Sequence, residues 1–169
     1  MRCVTESEID EWLRERSIPK DPYRSDSAPP FYLQFHAPAT HRRLAALVRH
    51  YYDQMIPESE SLVHMTDWGG YEQSEMVAIA GIRSSCGEGR MLIDAPGHIL
   101  TSGEKDIGIS LFSLSASFAW SSYLYSPRHR SILYNWEGEL FDFWTNSEQA
   151  MSEMKLVLKQ LDLAETSQT

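Results

Sequence analysis

Residues 122–144 read SYLYSPRHRSILYNWEGELFDFW, and this stretch predicts three consecutive antiparallel strands. Segments 122–125 and 131–134 are short, contain tyrosine and aliphatic residues, and flank a loop with a proline, which is typical of a β-hairpin. Glu137-Gly138 then turns the chain into segment 139–144, where Leu140 and Asp142 alternate with two phenylalanines. We therefore expect an antiparallel meander in this part of the chain.

A helix is predicted on each side of the meander. Residues 104–120 carry apolar side chains on two faces, and a stripe of small residues runs between those faces: Ser110, Ser113, Ser117 and Ser121. A helix that is apolar almost all round is buried, and small residues let a neighbouring backbone come close. We expect this helix to be central, with its serines against a neighbour. Asn146 and Gln149 resemble a capping box that begins a final helix reaching Leu161.

Three strand–helix units are predicted before the meander. Their strands are 31–36, 61–67 and 90–94, and their helices are 38–55, 74–85 and 104–120. Strands joined by crossover helices usually pair in parallel, whereas hairpin strands pair antiparallel. The sequence therefore predicts a single mixed β-sheet followed by a C-terminal helix, an α/β fold that is α+β by stricter accounting.

The first 30 residues predict a segment apart from the globular domain. Residues 5–16 have the pattern of a short amphipathic helix, and residues 17–30 contain four prolines among serines and aspartates. We expect 1–30 to be an N-terminal helix and proline-rich arm, 31–163 a single domain and 164–169 a polar tail.

The composition of the chain disfavours several classes of function. The 169 residues include 15 Lys and Arg against 24 Asp and Glu, a net charge of -9, which disfavours nucleic acid as a partner. The longest apolar-leaning stretch, 107–120, contains four serines and is shorter than the roughly 20 residues of a membrane span. The chain shows no secretory signal, and its two cysteines offer no disulfide framework or metal-ligand spacing. We expect a cytoplasmic protein without membrane, metal or cofactor.

Acidic residues concentrate in the second part of the chain. Up to Asp53 acids and bases balance at eight each, whereas sixteen acids face seven bases afterwards. Two runs contain no Lys or Arg between their acids: Glu58, Glu60, Asp67, Glu72 and Glu75, and then Glu137, Glu139, Asp142, Glu148 and Glu153. Either they are solvated surface carboxylates, or they form a docking face for a basic partner.

Tryptophan and tyrosine lie beside both acidic runs, and aromatic residues are common at interface centres and in cores. For Trp144 the core is favoured. If the acidic runs dock a partner, the predicted binding residues are Trp68, Tyr71, Glu72, Glu75, Trp136, Glu137 and Glu139.

A second candidate site depends on parallel pairing. Asp67 follows the second predicted strand, and Asp94 and His98 follow the third. Parallel strands would bring all three to one carboxyl edge, where open α/β folds place ligands. They could form an acid/base or metal cluster, but capping and turn roles explain the same residues, and the spacing matches no known catalytic or metal motif. This interpretation predicts an enzyme or a small-ligand-binding domain.

Several short motifs resemble a group of small uncharacterised bacterial proteins. The group carries a T-x-W-G turn followed by S-E, an L-R helix end, an A-P-G-H turn, an E-x-x-D-L helix start and an F-G-W-D helix end. The matching segments lie between about Tyr32 and Tyr125: Thr66–Gly69, Ser74-Glu75, Ile82-Arg83, Asp94–His98, Glu104 with Asp106, and Phe118–Trp120. The chain departs from the group at Ala119 and Ser121, where the group has glycine and aspartate.

The resemblance implies the fold and a bacterial cytoplasmic setting, without a reaction. Size, acidity and α/β composition are also similar to those of immunity proteins that neutralise bacterial toxins. We therefore expect a non-enzymatic, immunity or antitoxin-like protein whose acidic face covers a basic protein partner, such as a toxin. The enzyme or ligand-binding domain that uses Asp67, Asp94 and His98 stays as the alternative.

Overall fold

The computed structural model describes residues 1–57, 59–68 and 72–166. Within them the chain forms five α-helices and one seven-stranded sheet, so the predicted α+β class is confirmed. The strands are β1 (Arg2–Val4), β2 (Phe31–His36), β3 (Ser61–Asp67), β4 (Gly97–Leu100), β5 (Ser121–Ser126), β6 (Ser131–Trp136) and β7 (Leu140–Thr145). The helices are α1 (Glu6–Glu15), α2 (His41–Met55), α3 (Gln73–Ser85), α4 (Lys105–Ser117) and α5 (Glu148–Gln160).

The sheet is antiparallel throughout the described residues. Its strand order is β1-β4-β3-β5-β6-β7-β2, and each neighbouring pair runs antiparallel. The predicted meander is confirmed as β5, β6 and β7, and α5 follows it. The predicted parallel pairing is wrong. Residues 86–96, which form neither helix nor strand, lead the chain from α3 into β4 in the direction opposite to β3.

The third predicted strand is also misplaced. Residues 90–94 lie in turns, and the strand begins later, at Gly97. Met91 is 69% exposed and Ile93 is 70% exposed, so these apolar side chains do not mark a buried strand. The actual strand, β4, is fully buried between β1 and β3.

The two faces of the sheet carry two hydrophobic cores. Helices α2, α4 and α5 cover the first face, with Phe112, Leu47 and Val157 among the buried side chains. Helix α1 covers part of the second face, where Ile9 and Trp12 pack with strand residues. The other part of the second face, towards β7 and β2, has no α-helix over it in the part of the chain that the structure describes; Tyr23, from a short 3-10 helix at Pro22–Arg24, packs there against Trp144.

The N-terminal segment is part of the fold rather than a separate arm. Strand β1 extends the sheet by pairing with β4, and Thr5 caps α1 in a capping box with Glu8. Ile18, in the proline-rich stretch, is buried in the second core. At the other terminus, the Thr166 amide donates to the carbonyl of Gln34 on β2 (2.8 Å), while the rest of the predicted polar tail, 167–169, lies outside the described residues.

Helix α4 lies on the sheet next to α2. Three residues of its serine stripe border an open groove, and the fourth, Ser121, is buried at the start of β5. Ser110 is exposed, and Ser113 and Ser117 are only partly buried along a groove of about 740 Å³ between the two helices. The close approach occurs instead at Gly108, where an added Cβ would collide with the hydroxyl of Tyr52. The stripe prediction fails because small residues also line open grooves.

Gly108→Ala should lower the free energy of unfolding by about 1–3 kcal/mol, because the buried ring of Tyr52 has no room to move aside. Gly81→Ala is the matched control: this glycine lies in α3 with open space around it, so alanine should raise the free energy of unfolding by about 0.5–1 kcal/mol. Urea unfolding of both variants measures the difference. Equal effects of the two substitutions would contradict the close contact between α2 and α4.

Candidate interaction surface

His98, a candidate acid/base residue, is enclosed in the protein interior. It lies on β4, and its exposed fraction is zero. A guanidinium nitrogen of Arg83 lies 3.0 Å from its Nε2, and its Nδ1 lies 3.3 Å from the carbonyl of Val63. Arginine can only donate, so Nε2 accepts and Nδ1 carries the proton. Burial, and then the charge of Arg83, lowers the pKa of His98 to about 3, so the ring is neutral at pH 7.

Arg83 holds the irregular segment before β4 in place. Its guanidinium is buried and donates to the carbonyls of Ala95 (2.7 Å), Arg90 (3.1 Å) and Met91 (3.2 Å), in addition to His98. A buried guanidinium needs such acceptors because desolvation of the charge is costly. The pair of Arg83 and His98 is therefore structural: it attaches residues 90–95 to α3 and β4.

The other two members of that candidate site are on the surface. Asp67 ends β3 and Asp94 lies in a turn, and both are exposed. The prediction that they meet His98 depended on parallel pairing of the strands. The sheet is antiparallel, so that argument for the site no longer holds. Among residues 1–57, 59–68 and 72–166, moreover, no three His, Cys, Asp or Glu side chains are placed to hold a metal ion.

One serine–histidine contact was not anticipated from the sequence. Nδ1 of His41, at the start of α2, lies 3.0 Å from Oγ of Ser117 at the end of α4. A nucleophilic serine needs a histidine that a third group orients. In the described part of the chain, His41 has no hydrogen bond to a carboxylate, so this contact connects two helix ends and does not form a catalytic dyad.

Several of the predicted binding residues lie at one end of the sheet. Asp67 on β3 pairs with Ser121, and Trp136 on β6 pairs with Leu140 across the turn that holds Glu137 and Glu139. In antiparallel strands these positions share one end. We call Asp67, Glu72, Glu75, Glu137 and Glu139 the acidic end. Glu72 is included because it follows Trp68 by four residues, and four residues can span at most about 14 Å.

Glu72 and Glu75 also have a local role. Glu72 is the N-cap of α3, and its amide donates to the carboxylate of Glu75 (2.9 Å) in a capping box. Acidic groups at a helix N-terminus are favourable because of the helix dipole. These two carboxylates therefore stabilise the start of α3, a role that was not predicted for them from the sequence. Glu137 and Glu139 are the members of the acidic end that lie exposed on a turn.

The three tryptophans named in the sequence analysis differ in their exposure to solvent. Trp136 is 48% exposed, Trp68 is partly buried with its ring centroid 6.5 Å from that of Trp120, and Trp144 is buried in the second core, as predicted. Tyr71 lies outside the described residues. Of the predicted tryptophans, Trp136 is the one presented to solvent.

The remaining acids of the two runs lie elsewhere. Glu60 accepts from the indole of Trp12 (3.2 Å) and pairs with Arg16, and Glu148 begins α5 at the opposite end of β7. Asp142 is fully buried. Glu58 lies outside the described residues. The two sequence runs therefore do not form one continuous face.

A cleft opens beside Trp136 on the part of the second face that α1 does not cover. Its volume is about 360 Å³, and Tyr23, Gln34, Tyr134 and Trp136 line it. Tyr23 comes from the proline-rich segment and is 55% exposed, while its ring packs edge-on against Trp144 with centroids 5.0 Å apart. Three aromatic rings from two segments, the proline-rich segment and β6, thus surround one concave surface.

A buried carboxylate lies against two of the residues that line the cleft. Asp142 accepts hydrogen bonds from the hydroxyls of Tyr23 and Tyr32 (2.6 Å for Tyr32) and from the amide of Gln34 (2.9 Å). Burial, and then the hydrogen bond to Asp142, raises the pKa of both tyrosines well above 10, so the phenols remain donors. No Lys, Arg or His of the described residues forms an ion pair with Asp142. Its two oxygens accept hydrogen bonds from these neutral donors.

The cleft was missed because its residues are far apart in the sequence. Tyr23 lay in a segment predicted to be an irregular arm, and Gln34 and Asp142 lie on strands at opposite ends of the chain. One signal was available: Asp142 interrupts the apolar stretch LFDFW, and a carboxylate inside a strand needs partners. Pairing of β2 with β7 supplies them.

Neither a family model, nor a curated protein, nor a solved structure matches this chain.

Proposed function

We propose that this is a non-enzymatic binding protein that recognises a basic protein through Trp136 and the acidic end. The observation that carries the proposal is the half-exposed indole of Trp136 directly before the turn that holds Glu137 and Glu139. Tryptophan is enriched among residues that dominate binding energy, and surrounding carboxylates speed encounter with a positively charged surface. A net charge of -9 adds to that attraction at long range.

The biological role we propose is that of an immunity or antitoxin-like protein in the bacterial cytoplasm. Support comes from the motif resemblance described above and from the size, acidity and α+β fold, which are similar to those of proteins that neutralise toxins by covering them. A cover of this kind needs a complementary surface and no catalytic group. The buried state of His98 fits a protein without that chemistry.

Charge reversal on the exposed turn tests the proposal. The partner is first captured by a pull-down from the native host and identified by mass spectrometry. Glu137→Lys/Glu139→Lys should slow association with this captured partner several-fold. Wild-type association should slow as salt rises, because exposed charges are screened beyond about 8 Å at physiological ionic strength. The measurement is association kinetics on an immobilised surface. The control is Glu11→Lys/Glu15→Lys, on the exposed side of α1, which changes the net charge equally and should leave the rate nearly unchanged.

Growth of bacteria tests the biological role. Expression of the captured partner alone should arrest growth, co-expression of the wild-type chain should restore it, and the Glu137→Lys/Glu139→Lys variant should restore it less. An association rate that responds neither to salt nor to the turn variant would refute the acidic surface. A partner that is harmless when expressed alone would refute the immunity role.

A further inference from the structure

We propose that the cleft beside Trp136 receives an arginine side chain of the basic partner. This inference rests on the proposed function and specifies the group that the surface recognises. The cleft is lined by Tyr23, Gln34, Tyr134 and Trp136, and it lies over the buried carboxylate of Asp142.

Exposure of aromatic rings is concentrated at this cleft. Six large hydrophobic side chains are strongly exposed among the described residues, and four of them are aliphatic. The two aromatic ones, Tyr23 and Trp136, both line the cleft. Burial of an aromatic side chain in a core stabilises the fold, and these two side chains do not contribute that stabilisation in full. Their joint exposure around one cavity therefore favours a role in binding.

The electrostatics of the cleft favour a cation. Asp142 is buried and has neutral donors, two of which, Tyr23 and Gln34, are also walls of the cleft. A charge in a low-dielectric interior acts more strongly on its surroundings than one in water. Glu137 and Glu139 add negative charge at the turn that follows Trp136. Anionic ligands are disfavoured here for the same reasons.

The shape and chemistry of the walls favour arginine among the cations. A guanidinium is flat, stacks on aromatic faces and is more weakly hydrated than an ammonium, so it loses less on entering a cleft of rings. A guanidinium that stacks on an indole ring already occurs within this protein. The guanidinium carbon of Arg16 lies 4.3 Å from the ring centroid of Trp12, and Glu60 bonds to both side chains. In the cleft, Trp136 would supply the corresponding ring to an arginine from outside. Asp142 is fully buried behind Tyr23 and Gln34, so it would act on the guanidinium through these two side chains and not by a direct ion pair.

Short peptides test this inference without the partner. The full chain is titrated with Gly-Arg-Gly, with Gly-Lys-Gly and with Gly-citrulline-Gly, whose side chain has nearly the same shape as arginine but no charge. The readout is the NMR signal of the Trp136 indole N–H, assigned by its loss in Trp136→Ala. We expect saturable shifts with the arginine peptide, about tenfold weaker binding of the citrulline peptide, and intermediate binding of the lysine peptide.

Two variants and one control locate the binding. Trp136→Ala should abolish binding of the arginine peptide, as followed on the remaining amide signals, and Asp142→Asn should weaken it at an unchanged wall shape. Met91→Ala, which shortens an exposed apolar side chain elsewhere, should leave it unchanged. If Asp142→Asn fails to fold, Trp136→Ala decides, because an exposed side chain contributes little to folding. Equal shifts with the arginine and citrulline peptides, or binding that survives Trp136→Ala, would overturn the inference.

The outcomes separate this inference from the proposed function. Suppose that the arginine peptide binds at Trp136 but Glu137→Lys/Glu139→Lys does not change the association rate of the partner. This result would support the arginine cleft and refute the acidic docking surface. A partner rate that responds to the turn variant, with no peptide binding at Trp136, would refute the arginine cleft alone.

Discussion

We expect a chain that lacks residues 1–30 to lose its cooperative unfolding transition. The deletion removes β1 and α1 and uncovers the second core, where Ile9, Trp12 and Leu13 are buried. Burial of each such side chain contributes about 1.5–3 kcal/mol, so the loss is comparable with the total stability of about 5–15 kcal/mol that is usual for a domain. It also removes Tyr23, a donor to the buried Asp142. Far-ultraviolet circular dichroism during heating measures the transition.

The control for this deletion changes the solvent side of the same helix. Glu11→Lys/Glu15→Lys leaves all three buried side chains in place, so its midpoint should lie close to that of the full chain, because exposed ion pairs contribute little. A truncated chain that melts cooperatively at the wild-type midpoint would contradict the packing of α1 on the sheet. The domain boundary at residue 31 would then be correct.

Acidification should destabilise the protein well above the pH at which carboxylates titrate. In the unfolded chain His98 takes up a proton below about pH 6.5, whereas in the folded chain its pKa is about 3. The unfolded state therefore binds more protons between these values, and stability is full above pH 6.5 and falls as the pH decreases. For this histidine the loss is about 1.4 kcal/mol per pH unit, or roughly 2 kcal/mol between pH 6.5 and pH 5.

Urea unfolding at pH 7, 6 and 5 measures this slope. His98→Gln removes the titrating ring while its amide oxygen can still accept from Arg83, so the slope should become shallower. Burial also lowers the pKa of His64. The His98→Gln variant should therefore still lose stability as the pH falls, but with a smaller slope than the wild type. Glu6, Glu8 and Glu88, whose pKa values are lowered from 4.5, contribute only below this window. A flat wild-type profile would contradict a neutral, buried His98.

Local elements were predictable from the sequence because their signals are local. The alternation in 122–144 predicted the meander, and the early acids and late bases of residues 5–16 predicted α1. What α1 packs against was not predictable, since an amphipathic face does not specify its partner. The same limit led to the parallel sheet: alternation of strands and helices indicates connections, but the direction of β4 is set by residues 86–96, whose turns carry no periodic pattern.

The candidate surface was predictable only in part for a similar reason. Trp136, Glu137 and Glu139 are adjacent in the sequence, so their joint position at a turn could be inferred from the strand pattern alone. The cleft behind them needs Gln34, which the pairing of β2 with β7 brings beside Asp142, and Tyr23, whose hydroxyl donates to the same carboxylate. Charge counting grouped Asp142 with surface acids, because a sequence does not distinguish a buried carboxylate from an exposed one.

The strand order has a consequence for synthesis on the ribosome. The two outer strands of the sheet, β1 and β2, are the first two to be translated, while their partners β4 and β7 come far later, with Arg2 opposite Ile99 and Phe31 opposite Thr145. On the ribosome β1 therefore stays unpaired until residues 97–100 have emerged, and β2 until residues 140–145 have emerged. Such distant pairings also slow folding, because long loops must close before their contacts form.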